Sequence, residues 1–192
     1  MRTISKSIIL LYGFLQLIST SGCKSHNQKR LEVKQHSLSE KVGTKFQIGN
    51  LVDTAGKAMQ IDFSKNDLTI VDFWFRSCPP CIEEMRQFES LLNGKEGKIS
   101  IVSISVNNFR AWKATLYQPM QLFPLGVRNW EHLAVRDSEA DRFGNEMAVK
   151  RILELEQDLN VKFFPSYFVV DKDGVIIERP ESAVEYLKGI EE

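Results

Sequence analysis

Apolar and polar positions change period several times along this chain, and each change marks an element. Leu68 to Phe75, LTIVDFWF, is a nearly continuous run of β-branched and aromatic residues with Asp72 as its one charge. Such a run predicts a central strand buried on both faces. After Pro80 the apolar residues Cys81, Met85, Phe88 and Leu92 recur at spacings of three and four, which is one face of a helix. Lys98 to Val106, KISIVSISV, alternates and is β-branched, so it reads as the next strand. Strand, helix and strand in that order form a βαβ unit, whose crossover is expected to be right-handed.

The flanks are shorter. Phe46, Ile48, Leu51 and Val52 lead into Asp53-Thr54-Ala55-Gly56, a turn signal that predicts an opening hairpin. Between 107 and 144 the large residues Trp112, Tyr117, Phe123, Pro124 and Trp130 follow no clear period, and the expectation there is at least one helix and an irregular stretch. Asn145 to Asn160 recovers a helical stripe through Ala148, Ile152, Leu155 and Leu159. Val161 to Val170 reads as extended around Pro165, Asp171-Lys172-Asp173-Gly174 as a hairpin turn, Val175 to Glu178 as its return strand, and Glu181 to Ile190 as a closing helix. The class expected is α/β, a central mixed sheet flanked by helices.

A length of 192 residues with 43% hydrophobic content suits one domain with a sizeable core. Lys plus Arg equals Asp plus Glu at 25 each, so no basic excess points to nucleic acid and no acidic block points to a solvating tail. The first 22 residues read as an export signal: Arg2 and Lys6 are a positive start, Ile8 to Ile18 an apolar run, and Ser19 to Gly22 a small-residue end. The run is shorter than the roughly 20 apolar residues a spanning helix needs. Thr20-Ser21-Gly22-Cys23 resembles the lipobox of bacterial lipoproteins, with Thr20 where those usually carry Leu. That resemblance implies cleavage before Cys23 and its lipidation, and so a domain held at the bacterial cell envelope on the periplasmic or extracytoplasmic side. Acyl chains would anchor it through about 0.8 kcal/mol per buried methylene. Residues 23–42, polar and free of Gly and Pro, read as a tether, and 43–192 as the domain.

Two cysteines then remain for chemistry, Cys78 and Cys81, and none is left for a structural disulfide. The attacking species in disulfide exchange is a thiolate, and an ordinary Cys with a pKa of about 8.5 is mostly protonated at neutral pH. Strand, Cys-Pro-Pro-Cys and helix in succession place Cys78 at the first turn of the helix, where unpaired amides and the positive end of the macrodipole favour negative charge. Pro79 and Pro80 suit those first positions, which need no intrahelical N–H. Arg76 adds positive charge two residues earlier. The spacing assigns roles: Cys78 is the exposed attacker, and Cys81, deeper on the apolar face, is the resolving thiol.

Val71-Asp72-Phe73-Trp74 followed by Cys78-Pro79-Pro80-Cys81 resembles the thioredoxin superfamily, and the Pro-Pro dipeptide is similar to its membrane-anchored, extracytoplasmic thiol–disulfide branch. The resemblance covers residues 45–192 and implies a thioredoxin fold with an N-terminal hairpin and an insertion around 109–160. It implies that Pro165, in Phe164-Pro165-Ser166-Tyr167, is a cis proline facing the cysteines. It also implies that Asp72 and Glu84 assist Cys81, Asp72 by accepting and returning its proton. Ser77 and Phe164 depart from the family, which often has Trp before the first Cys and Thr or Val before the cis proline; both positions touch substrates. The activity implied is thiol–disulfide exchange as a reductase, with electrons from a transmembrane thiol carrier. The implied partners are extracytoplasmic proteins with misplaced disulfides, including apocytochromes in cytochrome c maturation.

Two rivals are weaker. A Cys-x-x-Cys pair is half of a zinc tetrahedron, but His26 and His36 lie in the tether and His132 stands alone, so no metal is expected. A peroxiredoxin-like thiol peroxidase would need Thr and Arg around one Cys, and Ser77 and Arg76 are imperfect substitutes. Dithiol exchange requires no bound cofactor.

Overall fold

Among the described residues seven strands form one mixed sheet, in the order β2-β1-β5-β4-β3-β6-β7. The computed structural model describes residues 38–118, 122–135 and 153–190. In chain order the strands are β1 (Leu51–Val52), β2 (Ala58–Met59), β3 (Leu68–Trp74), β4 (Ile99–Ser105), β5 (Trp130–Val135), β6 (Ser166–Asp171) and β7 (Ile176–Glu178). The labelled helices are α1 (Pro79–Leu92), α2 (Phe109–Leu116) and α3 (Ala183–Gly189), and residues 153–159 are also helical. β3 runs parallel to β4 and antiparallel to β6, and β4 runs parallel to β5. β1 and β2 are the opening hairpin. This is a thioredoxin-like α/β fold with additional elements.

Alternation along each strand divides the core into two layers. On one face Ile70 and Trp74 of β3, Ile99 and Ile101 of β4 and Val169 of β6 pack against Cys81, Met85, Phe88 and Leu92 of α1, Trp112 of α2 and Leu187 of α3. On the other face Val71, Phe73, Val102, Ile104, Phe168 and Val170 pack with Phe46, Leu155 and Leu159. β3 is therefore covered on both sides, as its continuous apolar run predicts. The β6–β7 hairpin turns at Gly174, whose φ of +77° is open to glycine at little cost, and the Asp171 carboxylate accepts the N–H groups of Asp173 and Val175.

One expectation is corrected. The pattern of residues 107–144 predicts helix and irregular chain, yet Trp130–Val135 is a strand between β1 and β4. Glu131 and His132 mask its period of two, because Glu131 stays exposed and His132 takes a helix-facing place that is usually apolar.

Candidate functional site

The site is built where β3 ends. Cys78 has extended backbone and N-caps α1, with Pro79 and Pro80 at the first helical positions. Its Sγ accepts the Cys81 N–H at 3.3 Å, so an unpaired helix-terminal amide points at the sulfur. Cys78 and Cys81 are joined as a disulfide. The expectation of an exposed Cys78 is corrected in this oxidised form, because Cys78 is 3% exposed and Cys81 0%. The bond draws Cys78 towards its partner on the buried face, and the exposed rim consists of Arg76, Ser77, Pro79 and Pro80.

Across from this rim the Phe164–Pro165 peptide is cis. β6 begins at Ser166, opposite Phe73, so the register sets Pro165 alongside the end of β3 that leads into Cys78. Phe164 meets Phe75 edge-on, with ring centroids 5.3 Å apart and both side chains half-buried. Phe75 precedes the cysteine pair and Phe164 precedes the proline, so the two sides of the site touch through this aromatic pair.

Asp72 is fully buried on the helix-facing side of β3, between Ile70 and Trp74. Ser103 lies opposite it on β4 and donates its hydroxyl to Asp72 Oδ2 at 2.9 Å; the Trp130 indole N–H donates to Ser103 Oγ, also at 2.9 Å. Asp72 Oδ1 is buried and has no hydrogen-bond partner among the described residues. Burial above all pushes the Asp72 carboxyl up to about 7; the Ser103 bond opposes this and the Glu84 charge adds to it. Tyr167, opposite Asp72 on β6, has a buried hydroxyl, and burial with the charges of Asp72 and Glu84 raises it above the ordinary phenol range.

Glu84 faces elsewhere in part. Its Oε2 accepts the N–H groups of Ala183 at 3.0 Å and Val184 at 3.3 Å, the first turn of α3. The structure thus brings Cys78, Cys81, Asp72, Glu84 and Pro165 to one end of β3 and α1. Cys23, the export signal and residues 23–37 of the tether lie outside the described residues. The sequence reading missed Ser103, Trp130 and Tyr167. Ser103 is one of three serines in β4, with Ser100 and Ser105, so no signal within the strand singled it out.

Comparison with known proteins agrees with this geometry. The family model described as Redoxin matches residues 41–186. No curated protein matches the chain significantly in sequence. Among solved structures, a thiol:disulfide interchange protein from Bacteroides sp. is similar with a TM-score of 0.53 and 19% identity, covering 81% of this chain and 90% of that one. The thioredoxin domain of a thiol-disulfide oxidoreductase from Bacteroides vulgatus has a TM-score of 0.54 and 16% identity, covering 77% and 96%. A reduced 2-Cys peroxiredoxin from Plasmodium vivax has a TM-score of 0.51 and 14% identity, covering 79% and 80%. At these identities the likeness speaks for the fold.

Proposed function

Given that the chain belongs to the Redoxin family, whose model spans residues 41–186, we propose that it is a thiol–disulfide oxidoreductase that reduces protein disulfides outside the cytoplasm. The observation that carries this reading is the Cys78–Cys81 disulfide at the N-terminus of α1, with the Cys81 amide directed at Cys78 Sγ.

In the reducing direction the Cys78 thiolate attacks one sulfur of a substrate disulfide. The substrate S–S bond breaks, a Cys78–substrate bond forms, and the second substrate sulfur leaves as a thiolate. Asp72 then takes the proton of Cys81, whose thiolate attacks Cys78 Sγ. The Cys78–Cys81 disulfide forms, the Cys78–substrate bond breaks, and the released substrate thiolate takes the proton from Asp72. Two electrons and the Cys81 proton have passed to the substrate, whose other thiolate takes its proton from water, and an external dithiol must restore the pair. Pro165 holds the substrate backbone beside Cys78. Glu84 holds α3 and adds negative charge near Asp72.

The sequence features of residues 1–23 support an extracytoplasmic placement with lipid attachment at Cys23, and the resemblance of Cys78-Pro79-Pro80-Cys81 to the membrane-anchored branch supports electrons from a transmembrane thiol carrier and protein substrates that include apocytochromes. A peroxidase reading has the peroxiredoxin likeness in its favour, but a vicinal dithiol is the device that exchange needs.

A redox titration of the purified chain against graded dithiol buffers, following Cys78–Cys81 by mass, tests the proposal. A two-electron transition near the thioredoxin value of about −270 mV or below supports a reductase, and one near about −120 mV makes it an oxidant. Absence of an intramolecular disulfide at every potential would overturn exchange and send the question to peroxide.

A further inference from the structure

Four adjacent strands each place one residue in a single polar row on the helix-facing side of the sheet. Tyr167 of β6, Asp72 of β3, Ser103 of β4 and His132 of β5 are aligned partner to partner. Apart from Ser105, their surroundings on that face are apolar, with Ile70, Trp74, Ile101 and Val169 beside them and Cys81 and Met85 packed over the sheet. A polar row inside a core costs stability where its groups are not hydrogen-bonded, and among the described residues Asp72 Oδ1, the Tyr167 hydroxyl and both His132 ring nitrogens have no partner.

Hydrogen bonds in the row run one way. An indole N–H can only donate, and the Trp130 N–H donates to Ser103 Oγ. The hydroxyl has one proton, and it goes to Asp72 Oδ2. When Asp72 itself is protonated, the site with no competing partner is Oδ1.

We propose that Ser103, oriented by Trp130, is a positioning residue for disulfide exchange: it keeps Asp72 Oδ2 as an acceptor, confines the mobile proton to Oδ1, and so governs proton transfer between Asp72 and Cys81. This deepens the function proposed above and rests on Asp72 serving as the acid and base for Cys81. In the resolving step the Cys81 S–H gives its proton to Oδ1, the Cys81–Cys78 bond forms, the Cys78–substrate bond breaks, and the substrate thiolate takes the proton back. Ser103 keeps its own proton throughout.

The groups facing Asp72 make Ser103 the balancing one. From α1, Glu84 adds negative charge and favours the protonated form. From β6, Tyr167 keeps its proton. From β5, burial lowers His132 to about 4, so its ring is neutral near pH 7 and lends no positive charge. Ser103 gives the carboxylate its only hydrogen bond among the described residues.

The test uses the full chain and its Ser103→Ala, Ser103→Thr, Trp130→Phe and Asp72→Asn variants. Two curves are read against pH: the rate of insulin disulfide reduction driven by dithiothreitol, and the infrared carboxyl band of protonated Asp72. Ser103→Ala is expected to move both midpoints up by roughly one to two pH units. Ser103→Thr should restore them, and Trp130→Phe should move them up by less. Unmoved midpoints in Ser103→Ala, alongside loss of the titration in Asp72→Asn, overturn the role of Ser103. A rate profile unchanged in Asp72→Asn overturns the reading of Asp72 itself, and this proposal with it. If Ser103→Ala does not fold, Trp130→Phe decides, and an unmoved midpoint there overturns the proposal.

Discussion

The Glu84 carboxylate accepts the backbone N–H of Ala183 at 3.0 Å, so a side chain of the active-site helix caps the closing helix. The Val184 amide shares the same oxygen at 3.3 Å. A carboxylate on otherwise unpaired helix-terminal amides has the worth of a good N-cap. Glu84→Ala is expected to lower unfolding stability by about 1–2 kcal/mol, seen as a lower urea midpoint with an unchanged slope. Glu84→Gln keeps an acceptor oxygen but removes the charge that raises Asp72, so its Asp72 titration midpoint should move down. An unchanged midpoint would remove Glu84 from the electrostatics of the site.

Asp72 and His132 should give stability opposite dependences on pH. The Asp72 carboxyl titrates near 7 in the folded chain against an ordinary 3.8, so the folded state holds the extra proton between those values. Its contribution is full below about pH 4 and is lost as pH rises through 7, to the extent of roughly 4 kcal/mol. His132 has both ring nitrogens buried without a hydrogen-bond partner among the described residues, and it titrates near 4 against an ordinary 6.5. Its contribution is full above pH 6.5 and is lost as pH falls towards 4, by roughly 3 kcal/mol. Between pH 4 and 6.5 the two slopes oppose each other. Urea unfolding across this window should show Asp72→Asn becoming less stable as pH falls, and His132→Phe becoming less stable as pH rises. Parallel profiles for the two variants would refute both assignments.

The cysteines should separate by role. Cys81→Ser is expected to accumulate covalent complexes with substrate proteins that a thiol reagent releases, because nothing then attacks the Cys78–substrate bond. Cys78→Ser should form none, although Cys81 is still present, since Cys81 is wholly buried. Non-reducing gels with mass analysis read the outcome, and equal trapping by the two variants would reverse or abolish the assignment.

Phe164 should matter for protein substrates more than for small ones. Its ring braces Phe75 edge-on at 5.3 Å beside the cis Pro165. Phe164→Ala is expected to raise KM for a protein disulfide by about two- to tenfold, the worth of an aromatic contact. Reaction with a small disulfide should hold its rate. Equal losses on both would mean that the ring supports the cysteine pair instead of the substrate.

Local pattern was sufficient for the elements whose partners hardly matter. The apolar run of β3 and the Cys81, Met85, Phe88, Leu92 stripe of α1 each carry a period that only one backbone conformation satisfies. Cys-Pro-Pro-Cys between them names the chemistry, because prolines begin a helix and a helix start favours a thiolate. Strand β5 was illegible, since Glu131 and His132 hide its alternation and only its place beside β4 makes it a strand. The row of Tyr167, Asp72, Ser103 and His132 depends on the register of four strands. Register between segments 31 residues apart, such as Asp72 and Ser103, is decided by how whole faces pack, and no period within either strand encodes it. The same holds for Glu84 and Ala183, 99 residues apart, whose bond exists because α1 and α3 share one face of the sheet. Sequence alone determined the cysteine pair, and tertiary packing decided which buried groups sit beside it, because their neighbours come from strands and helices far apart in the chain.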